Sequence, residues 1–212
     1  MPGDASGGFS ATLTIDLGAI VANYRKLVEF VAPAACGAVV KADAYGLGAA
    51  SIAPALQRAG CRHFFVATLD EGLALRRALP PSAIVFLLNG LPPGSAAIAA
   101  DADLVPVLET LGQLEEWRNY CASSPPKPAA LQIDTGISRL GLSEVDVMRL
   151  AADARLLQGV PLLHVMSHLA CADDPTHPQN ARQLDRFRAL ADGFPWPGGK
   201  KPMLGLAASS AI

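Results

Sequence analysis

The sequence predicts an α/β protein built as a (β/α)8 barrel of the TIM type, and three observations carry that prediction. Short β-rich apolar runs recur with helical patterns between most of them, which implies parallel strands joined by right-handed crossovers. About seven such units can be counted, too many for a small doubly wound sheet. Lys41, Asp134 with Arg139, His168 and Ser209 fall at or just beyond the C-terminal ends of the predicted strands, the face on which barrels assemble their sites. A dinucleotide-binding sheet would instead need G-x-G-x-x-G after its first strand. Gly46-Leu47-Gly48 is followed by Ala49, Ala50 and Ser51, so the third glycine is absent.

The elements follow in order. Asp16 is a good N-cap for a helix whose apolar face is Leu17, Ile20, Val21, Tyr24, Leu27, Val28 and Val31. Strands are expected at Ala38–Val40, Phe64–Ala67, Ile84–Leu88, Leu104–Leu108, Ala130–Ile133, Leu162–Met166 and Met203–Leu206. Thr110 with Gln113 has the pattern of a capping box ahead of Leu114, Trp117 and Cys121, and Ser143 with Asp146 has another. Leu184, Phe187, Leu190 and Ala191 make a further helical face. Residues 1–11 are expected as a flexible tail and 12–212 as the barrel, stopping before an eighth strand; no linker marking a second domain is visible, and no C-terminal β-domain is expected within these residues.

Composition narrows the function classes. At 212 residues, 51% hydrophobic and 17% charged, the chain supports one sizeable core. The net charge is −2, with 17 basic and 19 acidic residues scattered and no basic stripe, which argues against nucleic acid and for a small-molecule partner. Cys36, Cys61, Cys121 and Cys171 form no C-x-x-C pair and are expected as buried free thiols of a reducing cytoplasm. No signal peptide and no apolar run near the roughly 20 residues of a membrane helix is present, so a soluble cytoplasmic protein is expected.

Lys41 is the most informative residue. It ends the run Gly37-Ala38-Val39-Val40 and is followed by Ala42-Asp43-Ala44-Tyr45-Gly46-Leu47-Gly48, so it should stand at the mouth of the sheet beside a loop that brings backbone close to a ligand. An unpartnered buried ammonium is costly, and a lysine so placed tends to lose its proton or enter a covalent bond such as an imine. The alternative is a strand-end lysine whose amine reaches solvent.

Val39-Val40-Lys41-Ala42-Asp43-Ala44-Tyr45-Gly46-Leu47-Gly48 resembles the pyridoxal-phosphate attachment signature of the alanine racemases. Two further matches follow in order: Asp134-Thr135-Gly136-Ile137-Ser138-Arg139-Leu140-Gly141, and Met166-Ser167-His168-Leu169-Ala170 with Ala172-Asp173-Asp174. The resemblance runs from about Thr12 to Ile212.

This resemblance implies a pyridoxal 5'-phosphate enzyme that interconverts L- and D-alanine, supplies D-alanine for the cell wall, and works as a homodimer when full length. It implies that Lys41 binds the cofactor as an imine and then acts as one of two bases, and that Tyr45 and Ser209 reach its phosphate. Arg139 is then set near the cofactor's phenolic oxygen and the substrate carboxylate, and His168 beside the ring. A surface arginine paired with Asp134 is the other reading of Arg139.

Two positions depart from the family pattern. Gln132 stands where many members carry a carbamylated lysine that orients the arginine, and Ala208 replaces an asparagine. Only one of the two catalytic faces is expected within Met1–Ile212, so the chain alone is expected to be inactive. His164 and His168 invite a metal reading, but H-E-x-x-H lacks its glutamate here and the segment reads as a strand, so no metal is expected. Rival functions are a broader-specificity amino-acid racemase of the same fold and a non-catalytic pyridoxal-phosphate-binding module.

Overall fold

The structure, a computed structural model, describes residues 11–206 and 210. Helix α1 (Leu17–Val31) starts where Asp16 leaves extended backbone and its Oδ1 accepts the N–H of Ala19 at 3.0 Å. Strand β1 (Ala38–Val39), the short turn α2 (Lys41–Tyr45) and α3 (Ala49–Arg58) come next. Then β2 (His63–Val66), α4 (Leu69–Arg76), β3 (Ile84–Leu87), α5 (Ala96–Asp101), β4 (Leu104–Leu108), α6 (Leu111–Ser123) and β5 (Ala129–Gln132) alternate. They are followed by α7 (Glu144–Ala152), β6 (Leu162–Ser167), α8 (Pro178–Asp192) and β7 (Met203–Leu206). All seven expected strands are present, with ends displaced by one residue at most.

The strands form one parallel sheet in chain order, β1 to β7, each hydrogen-bonded to the next. This is the strand order of a barrel wall. Among the described residues β1 and β7 are its two edges, and Val39 and Met203 on them stay 44% and 39% exposed.

Side-chain alternation divides the core into two layers. On the concave face Phe65, Phe86, Val105, Val107 and Ala130 pack together with Leu88 and Met166. The Phe65 and Phe86 rings stack with centroids 4.7 Å apart, and His164 meets Phe86 edge-on at 5.8 Å. On the convex face Phe64, Val85, Leu108, Leu131 and Val165 lie in the larger core with Trp117, Leu150 and Phe187 of the surrounding helices.

Some local expectations change. Ser143 and Asp146 do close a capping box on α7. At α6 the Thr110 side chain accepts the N–H of Gln113, but Gln113 does not return the bond to Thr110. Its Oε1 accepts the N–H of Glu109 at 2.9 Å and its Nε2 donates to Leu91 O at 3.4 Å, because the loop after β3 lies directly against it. All four cysteines are free, yet only Cys61 and Cys121 are buried; Cys36 and Cys171 are half-buried. Among the described residues no helix is long and apolar enough to cross a membrane. The expected tail, apart from Ala11, lies outside the described residues.

Candidate active site

Lys41 leaves β1 at the C-terminal rim of the sheet and is half-buried there. The chain then enters a left-handed turn: Ala42, Asp43, Ala44 and Tyr45 have φ of 51°, 53°, 54° and 57°. For residues with a Cβ this conformation costs about 1–2 kcal/mol each. Three kinds of contact offset it. Within the turn, the N–H of Ala44 donates to Val40 O at 2.9 Å and that of Gly46 to Ala42 O at 2.8 Å. Asp43 Oδ1 accepts the N–H of Ala49 at 2.7 Å, tying the turn to the start of α3. Glu71 on α4 accepts the N–H of Ala42 through Oε1 at 2.9 Å and the N–H of Ala67, just past β2, through Oε2 at 2.7 Å. Tyr45 ends the turn 63% exposed on the rim.

Arg139 sits on the loop between β5 and α7, exposed to solvent. Asp134 does not pair with it; Asp134 Oδ1 accepts the N–H of Gly136 at 2.9 Å and of Ser138 at 3.1 Å, so this carboxylate folds the loop. Among the described residues Arg139 joins no ion pair. The loop closes on the sheet where Ile133 bridges Leu142 and Gln132 Nε2 donates to Leu140 O at 3.1 Å. Gly141 makes this closure possible: its φ is +117°, and a Cβ there would stand 2.8 Å from the backbone nitrogen of Asp134.

His168 lies just beyond β6 and is half-buried. Its carbonyl accepts Gln183 Nε2 at 2.9 Å. Gln183, fully buried in α8, also donates to Thr135 Oγ1 at 3.1 Å and accepts the N–H of Ala170 through Oε1 at 2.8 Å. Thr135 and Ser167 share a hydrogen bond at 2.7 Å between their hydroxyls. One buried amide thus fixes the loops that carry Arg139 and His168. Asn180, one turn earlier, holds the loop after His168 through Cys171 O and Asp174 O.

Because every strand is parallel, Lys41, Tyr45, Arg139 and His168 share the C-terminal rim. Ser209 and Ala208 lie outside the described residues. His164 belongs below the rim, inside the concave core, where burial and the like charge of His63 hold its pKa down to about 4. Four extended steps along the chain set His164 and His168 about 13 Å apart, too far for one metal ion.

Sequence reasoning missed Glu71, Gln183 and Glu109. Glu109 follows β4 on the concave side and is 5% exposed, and burial pushes its pKa up to about 7 while Arg139 draws it down. Thr68-x-x-Glu71 is a capping-box pattern that could have drawn attention to Glu71. Gln183 is the polar member of an apolar helical face, and Glu109 a lone acid at the end of an apolar strand.

Comparison with known proteins agrees with this geometry. Residues 15–212 match the family described as alanine racemase, N-terminal domain. A catabolic alanine racemase of Mesorhizobium japonicum is 48% identical over 189 residues, covering 87% of this chain and 50% of its own. An alanine racemase of Acidiphilium cryptum is 50% identical over 185 residues, covering 87% and 51%. The crystal structure of alanine racemase from Bartonella henselae with covalently bound pyridoxal phosphate superimposes with a TM-score of 0.87 at 40% identity, over 92% of this chain and 56% of that one. The chain spans about half the length of the curated relatives it matches. With a parallel wall in barrel order, a lysine at the first strand exit and a family match over nearly its whole length, the chain belongs to the alanine racemase N-terminal domain family.

Proposed function

We propose that this chain is the cofactor-binding barrel portion of a cytoplasmic alanine racemase, an isomerase that interconverts L- and D-alanine with pyridoxal 5'-phosphate. The observation that carries the reading is Lys41 at the rim on a left-handed turn braced by Glu71, a strained arrangement that points to a functional demand on the backbone. The donor set on the rim fits the cofactor: an amine for its aldehyde, a phenol for its phosphate and a guanidinium for its phenolic oxygen, with an imidazole beside the ring. Lys41, Tyr45, Arg139 and His168 would fill these places, with Ser209 on the phosphate. When bound, the cofactor supplies an electron sink that acidifies the amino acid's α-proton.

The protein's own part is acid–base work and orientation. Lys41 removes or returns the α-proton on one face. Arg139 binds the substrate carboxylate through its planar fork and so fixes which bond at Cα faces Lys41. The opposite face requires a second base, and a homodimer of the full-length protein is the assembly we propose to supply it. The two enantiomers are equal in energy in water, so supply and removal decide the direction of net conversion. Provision of D-alanine to cell-wall precursors is the use proposed here.

Borohydride reduction of the cofactor-loaded protein followed by peptide mapping tests the assignment. Label is expected on Lys41. Label on Lys26, Lys127, Lys200 or Lys201 instead would overturn it. In the full-length enzyme, exchange of the alanine α-proton in D₂O with inversion is expected, and binding without exchange would leave a non-catalytic module.

A further inference from the structure

Glu109 is a buried ionisable group that has no part in the amino-acid site proposed on the rim. Glu109 follows directly on β4, and its backbone is pinned by the bond from its N–H to Gln113 Oε1. The ladder pairs Val107 with Ala130 and Leu108 with Leu131, so the next rung sets Glu109 beside Gln132. By alternation both point to the concave side that Val107 and Ala130 line. Glu109 is 95% removed from solvent, and its Oε1 has no hydrogen-bond partner among the described residues. A buried acceptor left unused is costly, and native proteins retain one where a ligand or a moving side chain completes it.

Its surroundings identify the missing partner. From β1 to β7 the rim and the layer beneath it offer Lys41, Ala67, Leu88, Gln132, Met166 with His164 and His168, and Gly205. Gln132 is neutral and its Nε2 is committed to Leu140 O. That same bond holds the residue after Arg139 over the Glu109–Gln132 rung, and Arg139 is the cation whose charge acts on Glu109.

We infer that Glu109 is a positioning residue for Arg139: its carboxylate supplies the negative charge that draws the guanidinium from solvent into the barrel mouth and sets its fork for a substrate carboxylate. The inference rests on the proposed racemase function for the substrate, but the Glu109–Arg139 pairing can be tested without it. Arg139 is exposed to solvent in this structure. A ligand seated over it would exclude water and strengthen the attraction between the two charges. A lone guanidinium there would bind the substrate carboxylate with nothing to fix its plane.

Two measurements test the pairing. Carboxyl-¹³C NMR of the full chain with labelled glutamate follows Glu109, assigned by its loss in Glu109→Gln. In Arg139→Gln the Glu109 titration midpoint is expected to rise, and an unchanged midpoint overturns the pairing whatever the protein's activity. In the full-length holoenzyme, Glu109→Gln is expected to raise KM for alanine by about tenfold or more, with a smaller change in kcat, as loss of a charge-assisted hydrogen bond implies. Glu109→Asp should recover part of the loss, and formate should partly rescue Glu109→Ala by refilling the vacated site. Loss in all three variants without rescue would mark Glu109 as a packing residue and overturn the inference. Wild-type holoenzyme that turns over no alanine sinks the functional reading, while the NMR result still decides the pairing.

Discussion

Glu71 and Ala42 are 29 positions apart in sequence, yet the Glu71 carboxylate accepts the backbone N–H of Ala42 at 2.9 Å, one residue after Lys41. Its other oxygen takes the N–H of Ala67 at 2.7 Å, so one side chain links the exit of β2 to the turn that presents the lysine. Helix α4 thereby braces the turn α2 that begins with Lys41, just after β1. Glu71 leans across the sheet because Thr68, the N-cap of α4, places it in the first turn facing Lys41's loop.

Glu71→Ala should therefore cost roughly 2–3 kcal/mol, since two bonds to a charged acceptor are lost from a turn that is unfavourable by itself. Urea unfolding measures the stability. Borohydride labelling of Lys41 should also fall in yield at limiting cofactor. Full stability and full labelling together would show that the left-handed turn holds without Glu71.

Gly141→Ala should disturb the Arg139 loop specifically. The φ of +117° disfavours alanine, and the new Cβ would meet the backbone of Asp134 and Ile133 at 2.8 and 3.0 Å, atoms that cannot rotate away. A loss of at least about 2 kcal/mol is expected. In the full-length enzyme KM for alanine should rise more than kcat falls. An unchanged unfolding midpoint would count against the loop geometry.

Gln183→Leu keeps the volume but removes the amide that bonds Thr135, His168 O and the N–H of Ala170. Thr135 keeps its bond to Ser167, but His168 O and the N–H of Ala170 lose this partner, which should cost roughly 2–3 kcal/mol. Hydrogen exchange at Ala170 should accelerate relative to distant amides such as Val85. Equal protection in both proteins would show that water replaces the amide.

Stability should respond to pH through two buried groups with opposite signs. The folded-state pKa of His164, about 4, lies below its ordinary 6.5, so the unfolded chain binds the extra proton and stability falls as pH drops from about 6.5 toward 4. Glu109, raised to about 7 from 4.5, binds its proton more tightly when folded, so its contribution is lost as pH rises through that window. Wild type should be nearly level between pH 4.5 and 6.5. His164→Leu should instead become less stable as pH rises across that range, and Glu109→Gln should become more stable. Parallel profiles in urea titrations of the three proteins would contradict these assignments.

The strands, their parallel order and the place of Lys41, Arg139 and His168 on the rim are legible in the residue pattern. Each of these depends on local patterns: apolar runs, N-caps such as Asp16 and Ser143, and glycine spacing after Lys41. How those residues are held depends on contacts that form only in the folded chain. Of Ala42-Asp43-Ala44-Tyr45 only Asp43 is a residue type that tolerates left-handed backbone; Glu71, distant in the chain, helps make the run of four tenable. Gln183 reads as a break in an apolar face until α8 packs against Thr135 and His168, 48 and 15 residues earlier. Glu109 reads as an ordinary acid after a strand until burial removes its water and the β4–β5 register sets it beside Gln132. Periodicity records which face of an element is apolar, whereas a hydrogen bond between distant elements leaves no periodic trace and exists only once the sheet has brought them together.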